Sequence, residues 1–154
     1  MKPRLVLLVE DSPGDARLMM EAFRVAGGSS RLHVATDGAE AMAYLRQEGE
    51  HADAQRPDLI LLDLNLPKLT GLEVLAQVKE DAWLQTIPTL IITTSEVAAD
   101  INASYRLRAN SYLTKPVGMG EFEDLVRSIH GFWLTHVRFP THTVGLKPDS
   151  PKSA

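Results

Sequence analysis

Leu59-Ile60-Leu61-Leu62-Asp63-Leu64-Asn65-Leu66-Pro67, residues 59–67, is the stretch on which the reading of this chain turns. Four consecutive apolar residues lead into an acid, without the polar alternation of a strand that has one wet face. Such a run reads as a strand buried on both faces, as in parallel sheets packed between helix layers. An aspartate at the carboxyl end of such a strand lies where open α/β sheets place their ligands. A carboxylate there can bind a metal ion, act as a nucleophile, or only cap the next turn.

Outward from this segment, short apolar runs alternate with helical patterns. Strands are expected at Leu5 to Val9, Arg31 to Ala35, Leu59 to Leu62, Thr89 to Thr93 and Ser111 to Thr114. Ser12-Pro13-Gly14-Asp15 looks like a helix start, with Ser12 as N-cap and Pro13 at the first helical position. Asp37 and Glu40 form a capping pair for a second helix that runs to about Gly49. The third helix is expected over Gly71 to Glu80, the fourth over Val97 to Ala109, and a fifth carries Phe122, Leu125, Val126, Ile129 and Trp133 on one stripe. His51 to Pro57 reads as a polar loop. Five strand-then-helix units predict an α/β fold, a (βα)₅ doubly wound five-stranded parallel sheet with right-handed crossovers. One domain is expected over residues 1–134. Residues 135–154 form a C-terminal extension, disordered by composition from Lys147 to Ala154.

At 154 residues the chain suits a single domain with a sizeable core. The formal net charge of −4 argues against a general binder of nucleic acid or anionic membrane. The absence of cysteine excludes disulfides, zinc–thiolate sites and thiol catalysis, and agrees with a cytoplasmic location. The apolar stretch before Glu10 is five residues long, too short for a signal peptide or a membrane span.

The residues that close the strands carry the chemistry. Strand one ends in Glu10-Asp11, strand three in Asp63, strand four in Thr93-Thr94 and strand five in Lys115, and all converge on one crevice. Two or three carboxylates with water make an oxygen site for a hard divalent cation such as Mg²⁺. With such a cation Asp63 can stay ionised and attack phosphorus, forming an acyl phosphate. Lys115 can contact a transferred phosphoryl oxygen as a point cation, and the Thr93 hydroxyl can donate to another.

Four segments together resemble the receiver domains of bacterial response regulators, the CheY-like family. They are Leu7-Leu8-Val9-Glu10-Asp11-Ser12, Leu62-Asp63-Leu64-Asn65-Leu66-Pro67 with Gly71, Ile92-Thr93-Thr94-Ser95, and Tyr112-Leu113-Thr114-Lys115-Pro116. The resemblance covers roughly residues 4–133. It implies the flavodoxin-like strand order 2-1-3-4-5, Asp63 as phosphoacceptor, and Glu10, Asp11, Asp63 and the Asn65 backbone carbonyl as Mg²⁺ ligands. It further implies Thr93 and Lys115 at the phosphoryl group, Tyr112 as the aromatic half of a switch, and a cis peptide between Lys115 and Pro116. Glu10-Asp11-Ser12-Pro13, Asp100-Ile101, Ser104-Tyr105, Ala109-Asn110 and Phe132-Trp133-Leu134 are similar to the stand-alone regulators paired with bacterial phytochrome kinases.

The implied function is a phosphorylation switch: a partner histidine kinase supplies the phosphoryl group, and the domain catalyses its own modification and demodification. A haloacid-dehalogenase-type phosphohydrolase also uses a strand-end Asp, but its usual second Asp two residues on is Asn65 here. A flavin module lacks a phosphate loop after strand one and would face an acidic crevice. The histidines His33, His51, His130, His136 and His142 show no metal-ligand spacing, and Trp83 and Trp133 read as packing residues. After the fifth helix too little chain follows for an output domain, so the expected output is protein–protein contact. Phe132, Trp133, Leu134, Val137 and Phe139 extend apolar character beyond the domain. They suggest a homodimer through the helix 4–strand 5–helix 5 face, with the tail across it.

Overall fold

The computed structural model describes residues 3–141. Five parallel strands, β1 (Leu5–Val9), β2 (Arg31–Ala35), β3 (Leu59–Leu62), β4 (Thr89–Thr93) and β5 (Ser111–Thr114), lie in the order β2-β1-β3-β4-β5. The helices are α1 (Pro13–Ala26), α2 (Gly38–Leu45), α3 (Gly71–Glu80), α4 (Ala98–Arg106) and α5 (Met119–Trp133). This is the doubly wound α/β sheet expected from the alternation of runs.

The three central strands are buried along their whole length, whereas the edge strands β2 and β5 are only half-buried. Side chains alternate across a strand, so each apolar run feeds two cores. Leu7, Val9, Ile60, Leu62 and Ile91 pack with Met42, Val74, Leu75 and Val78 beneath α2 and α3. Val6, Leu8, Leu59, Leu61 and Ile92 pack with Met19, Phe23, Phe122, Val126 and Ile129 beneath α1 and α5. Trp83 rests on the first core and Trp133 on the second, as packing residues.

Where elements end earlier than the apolar pattern does, the cause is local backbone. α2 stops at Leu45 because Arg46 caps it and Gln47 takes a φ of 57°. A single 3-10 turn over Gly49–His51 enters the segment read as loop. α4 begins after Val97, its N-cap, and closes in a Schellman motif. There the Ala109 N–H reaches the Ser104 carbonyl (3.0 Å) and the Arg108 N–H that of Tyr105 (2.9 Å). Arg108 occupies the left-handed position (φ 70°) usually given to glycine. Asn110 then accepts from the Thr89 N–H (2.8 Å) and from Lys79 Nζ (3.2 Å), tying the start of β4 to α3.

The extension packs partly on its own domain. Phe139 lies against the α1–α5 core beside Leu134, the last residue of the domain, and the Arg4 guanidinium sits 4.9 Å from the Phe139 ring centre. The expected disordered segment from Lys147, and His142, lie outside the described residues.

Candidate functional site

Because all strands run the same way, their carboxyl ends share one edge, and the chain goes from β1 out to β2 on one side, then crosses back to β3 on the other. The register sets Val9 beside Leu62, so the residues that follow, Glu10 and Asp63, emerge side by side. Backbone bonds hold them there: Asp63 N–H to the Val9 carbonyl (3.1 Å), Glu10 N–H to Ala35 (3.0 Å), and Lys115 N–H to Thr93 (2.7 Å).

Asp63 is buried. Its Oδ1 accepts from the Asn65 N–H at 3.1 Å, an Asx turn that aims the carboxylate, and its Oδ2 accepts from Lys115 Nζ at 2.8 Å. Gly71, the first residue of α3, donates its N–H to the Leu64 carbonyl (3.0 Å) and abuts the Asp63 backbone so closely that a Cβ would collide with it. Thr70 and Glu73 close a reciprocal capping box at that helix start, with bonds of 3.2 Å each way.

Glu10, Asp11 and Asp63 each present a carboxylate oxygen within 4.8 Å of the others, Glu10 and Asp63 buried and Asp11 exposed. Glu10 Oε2 is buried without a hydrogen-bond partner, an orphan acceptor that a cation would satisfy. Burial, with the Asp63 carboxylate close by, pushes the Glu10 carboxyl up to about 8. At Asp63 burial acts upward too, but the neighbouring Glu10 carboxyl and the hydrogen bonds from Lys115 and the Asn65 N–H outweigh it and hold that carboxyl low. Burial alone would lower Lys115, yet its bonds to Asp63 and Glu10 raise it, so it remains an ammonium. The donor set is all oxygen, partly buried and anionic, and fits a hard divalent cation.

Lys115 Nζ bonds Glu10 Oε1, Asp63 Oδ2 and, at 3.0 Å, Asp15 Oδ2 from the first turn of α1. The sequence marks Asp15 only as part of a helix start. A partner 100 residues away leaves no spacing signal in the sequence. The Lys115–Pro116 peptide, implied cis by resemblance, is not: no cis bond occurs among the described residues. The X–Pro isomers differ by about 0.5–1 kcal/mol, too little for the dipeptide to fix the choice, and the trans form already brings Lys115 to three carboxylates.

Thr93 is fully buried at the end of β4, its Oγ1 3.4 Å from the Ser95 N–H, while Thr94 is exposed. Tyr112 donates its hydroxyl to the Ser95 carbonyl (2.9 Å), and the Ser95 hydroxyl donates to Asp100 (2.6 Å). Asn65 is exposed at the rim. Away from this edge, His33 stacks on Tyr44 (ring centres 4.2 Å apart) with His51 edge-on. Among the described residues no histidine joins a three-ligand group.

A five-stranded 2-1-3-4-5 sheet with an acid pair, a strand-end Asp and a Lys at one edge defines a class, and the sequence profile of the response regulator receiver domain matches residues 6–127. The chain belongs to that family. Response regulator Rcp1 of Synechocystis sp. is 45% identical over 138 residues, spanning 90% of this chain and 94% of that protein. Its Mn²⁺-bound crystal structure superposes with a TM-score of 0.86, covering 90% of this chain and all of that one at 45% identity. The phosphorylated cyanobacterial phytochrome response regulator RcpA gives 0.87 at 46% identity, covering 91% of this chain and all of that one. The resemblance to stand-alone phytochrome regulators thus holds over nearly the whole of those relatives.

Proposed function

We propose that this chain is a phosphorylation switch in which Asp63 accepts a phosphoryl group from the phosphohistidine of a sensor kinase of the phytochrome type. The Asp63 carboxylate, kept ionised by its neighbours Glu10, Lys115 and the Asn65 N–H, attacks phosphorus; the new O–P bond forms as the P–N bond breaks, and the imidazole leaves. Glu10, Asp11, Asp63 and the Asn65 carbonyl would hold Mg²⁺. When bound, Mg²⁺ neutralises charge that develops on the transferred oxygens. Lys115 donates to one of those oxygens, and the Thr93 hydroxyl turns toward another. The same groups orient water for slow self-dephosphorylation. A strand-end Asp followed two residues later by Asn, with no second acid there, favours retention of the group over turnover of phosphate esters.

The observation that carries this reading is the ammonium of Lys115 at 2.8 Å from a buried, ionised Asp63 beside an orphaned Glu10 oxygen. Incubation with Mg²⁺ and a small acyl phosphate, followed by mass spectrometry, should show one added phosphoryl group, absent from Asp63→Asn. No addition to the native chain, or addition that survives the substitution, would remove the proposal.

The output follows from charge and packing. A phosphoryl group adds negative charge and acceptor oxygens, drawing Thr93 inward and biasing Tyr112 and the α4–β5–α5 face between two states. On that face Val97 and Tyr105 are exposed beside the half-buried edge strand β5, which supports a homodimer through it, in the cytoplasm. Since the described part of the extension leans on its own core, residues 1–134 make the switch and 135–154 an appendage. Sedimentation of Val97→Glu and Tyr105→Glu should show a lower mass than the native chain.

A further inference from the structure

Asp15 is unexplained by helix capping. It stands at the third helical position of α1, where an acid in a capping box would turn back to the N-cap N–H. Glu73 does so in α3. In α1 the N-cap half is made, the Asp15 N–H meeting Ser12 Oγ at 3.2 Å, but the Asp15 carboxylate points away to Lys115 Nζ at 3.0 Å.

An ammonium has three protons, and the three acceptors here are Glu10, Asp63 and Asp15. Two of them belong to the acidic cluster that can hold a cation; Asp15 does not. Whenever Glu10 and Asp63 are engaged elsewhere, by a cation or by a phosphoryl group, Asp15 is the acceptor that remains.

We propose that Asp15 is a positioning residue that tethers the Lys115 ammonium at the reaction centre, together with Glu10 and Asp63 in the cation-free protein and by itself while those two partners are engaged. This rests on the switch reading above. The tether leaves two protons of Lys115 free, enough to donate to a phosphoryl oxygen without releasing Asp15. Its side chain is 40% accessible, so the bond is formed at the mouth of the crevice and the tether is a modest one.

The test has two arms, one free of both cation and phosphodonor. In ¹⁵N-labelled protein without divalent cations, the Lys115 ammonium should give a protected resonance, assigned by its loss in Lys115→Met. In Asp15→Asn its proton exchange should rise about fivefold, the size of a partly exposed ion pair, whereas Asp15→Glu should keep it protected. In the second arm, phosphoryl uptake from an acyl phosphate with Mg²⁺ should slow about fivefold in Asp15→Asn, but not further when Lys115→Ala is already present. Unchanged Lys115 exchange in Asp15→Asn overturns the tether, and so does an equal slowing with and without Lys115. Failure of the native chain to take up phosphoryl sinks the switch reading, and the ammonium measurement still judges Asp15 by itself.

Discussion

Tyr112 Oη donates to the Ser95 carbonyl oxygen at 2.9 Å, joining the edge strand β5 to the turn that leaves β4 just after Thr93. Ser95 in turn donates to Asp100 in α4. A side chain on β5 is therefore tied to the turn that follows Thr93. Tyr112→Phe keeps the ring and deletes the bond. It should cost about 1 kcal/mol in urea unfolding and speed amide exchange at Val97, whose N–H meets Ser95 Oγ at 3.3 Å. Equal midpoints and equal exchange would show that the bond restrains nothing.

Two glycines separate close packing from helix entropy. A Cβ on Gly71 would lie 2.5 Å from Leu64 Cα and still closer to the Asp63 carbonyl oxygen, both backbone atoms with nowhere to go. Gly71→Ala should cost about 1–3 kcal/mol and, because it displaces Asp63, should also slow phosphoryl uptake. Gly120, early in α5, has open space where a Cβ would stand, with no neighbour within 4 Å. Gly120→Ala should be neutral or stabilise by about 0.5–1 kcal/mol. Equal unfolding curves for the two variants would refute the steric account.

His33 sits on the edge strand β2 against Tyr44, with its Nε2 buried and unpartnered. Burial first, then the neighbouring His51, pulls its pKa below the usual 6.5. A group lowered on folding binds fewer protons in the native state than in the unfolded one. Its neutral form thus contributes stability that is present above pH 6.5 and is lost as pH falls through the folded value. His33→Phe should flatten the acid side of a stability–pH curve in this window. A curve of unchanged steepness would assign the acid sensitivity elsewhere.

The five strands were legible to the residue because each run is bounded by a turn signal and, in the centre, buried on both faces. Helix ends were less so. Arg108 does at the end of α4 what a glycine usually signals, so nothing in Leu107-Arg108-Ala109 announces the stop. Of the site, Glu10, Asp11, Asp63, Thr93 and Lys115 could be gathered because a parallel sheet brings strand ends together wherever they lie in the chain. Asp15 and the His33–Tyr44–His51 stack could not. Their meetings depend on how α1 and α2 lie across the sheet, and residue spacing does not encode that.

The acidic cluster predicts a cation dependence that itself depends on pH. Glu10 has a pKa raised on folding from 4.5 to about 8, so in the cation-free protein it carries a proton across the neutral range. A raised carboxyl contributes stability that is fully present below pH 4.5 and is lost as pH rises through about 8. The cation-free protein should therefore soften toward alkaline pH. A divalent cation must displace that proton, so its apparent affinity rises over the same interval. Cation binding to the native state alone stabilises by about 2.7 kcal/mol at a hundredfold excess over Kd. The rise in Tm on adding Mg²⁺ should accordingly be larger at about pH 8.5 than at about pH 6. It should be abolished by chelation and lost in Asp11→Asn, while Glu10→Gln should remove most of its pH dependence. A Mg²⁺-induced shift of the same size at both pH values would show that Glu10 is not the group the cation deprotonates.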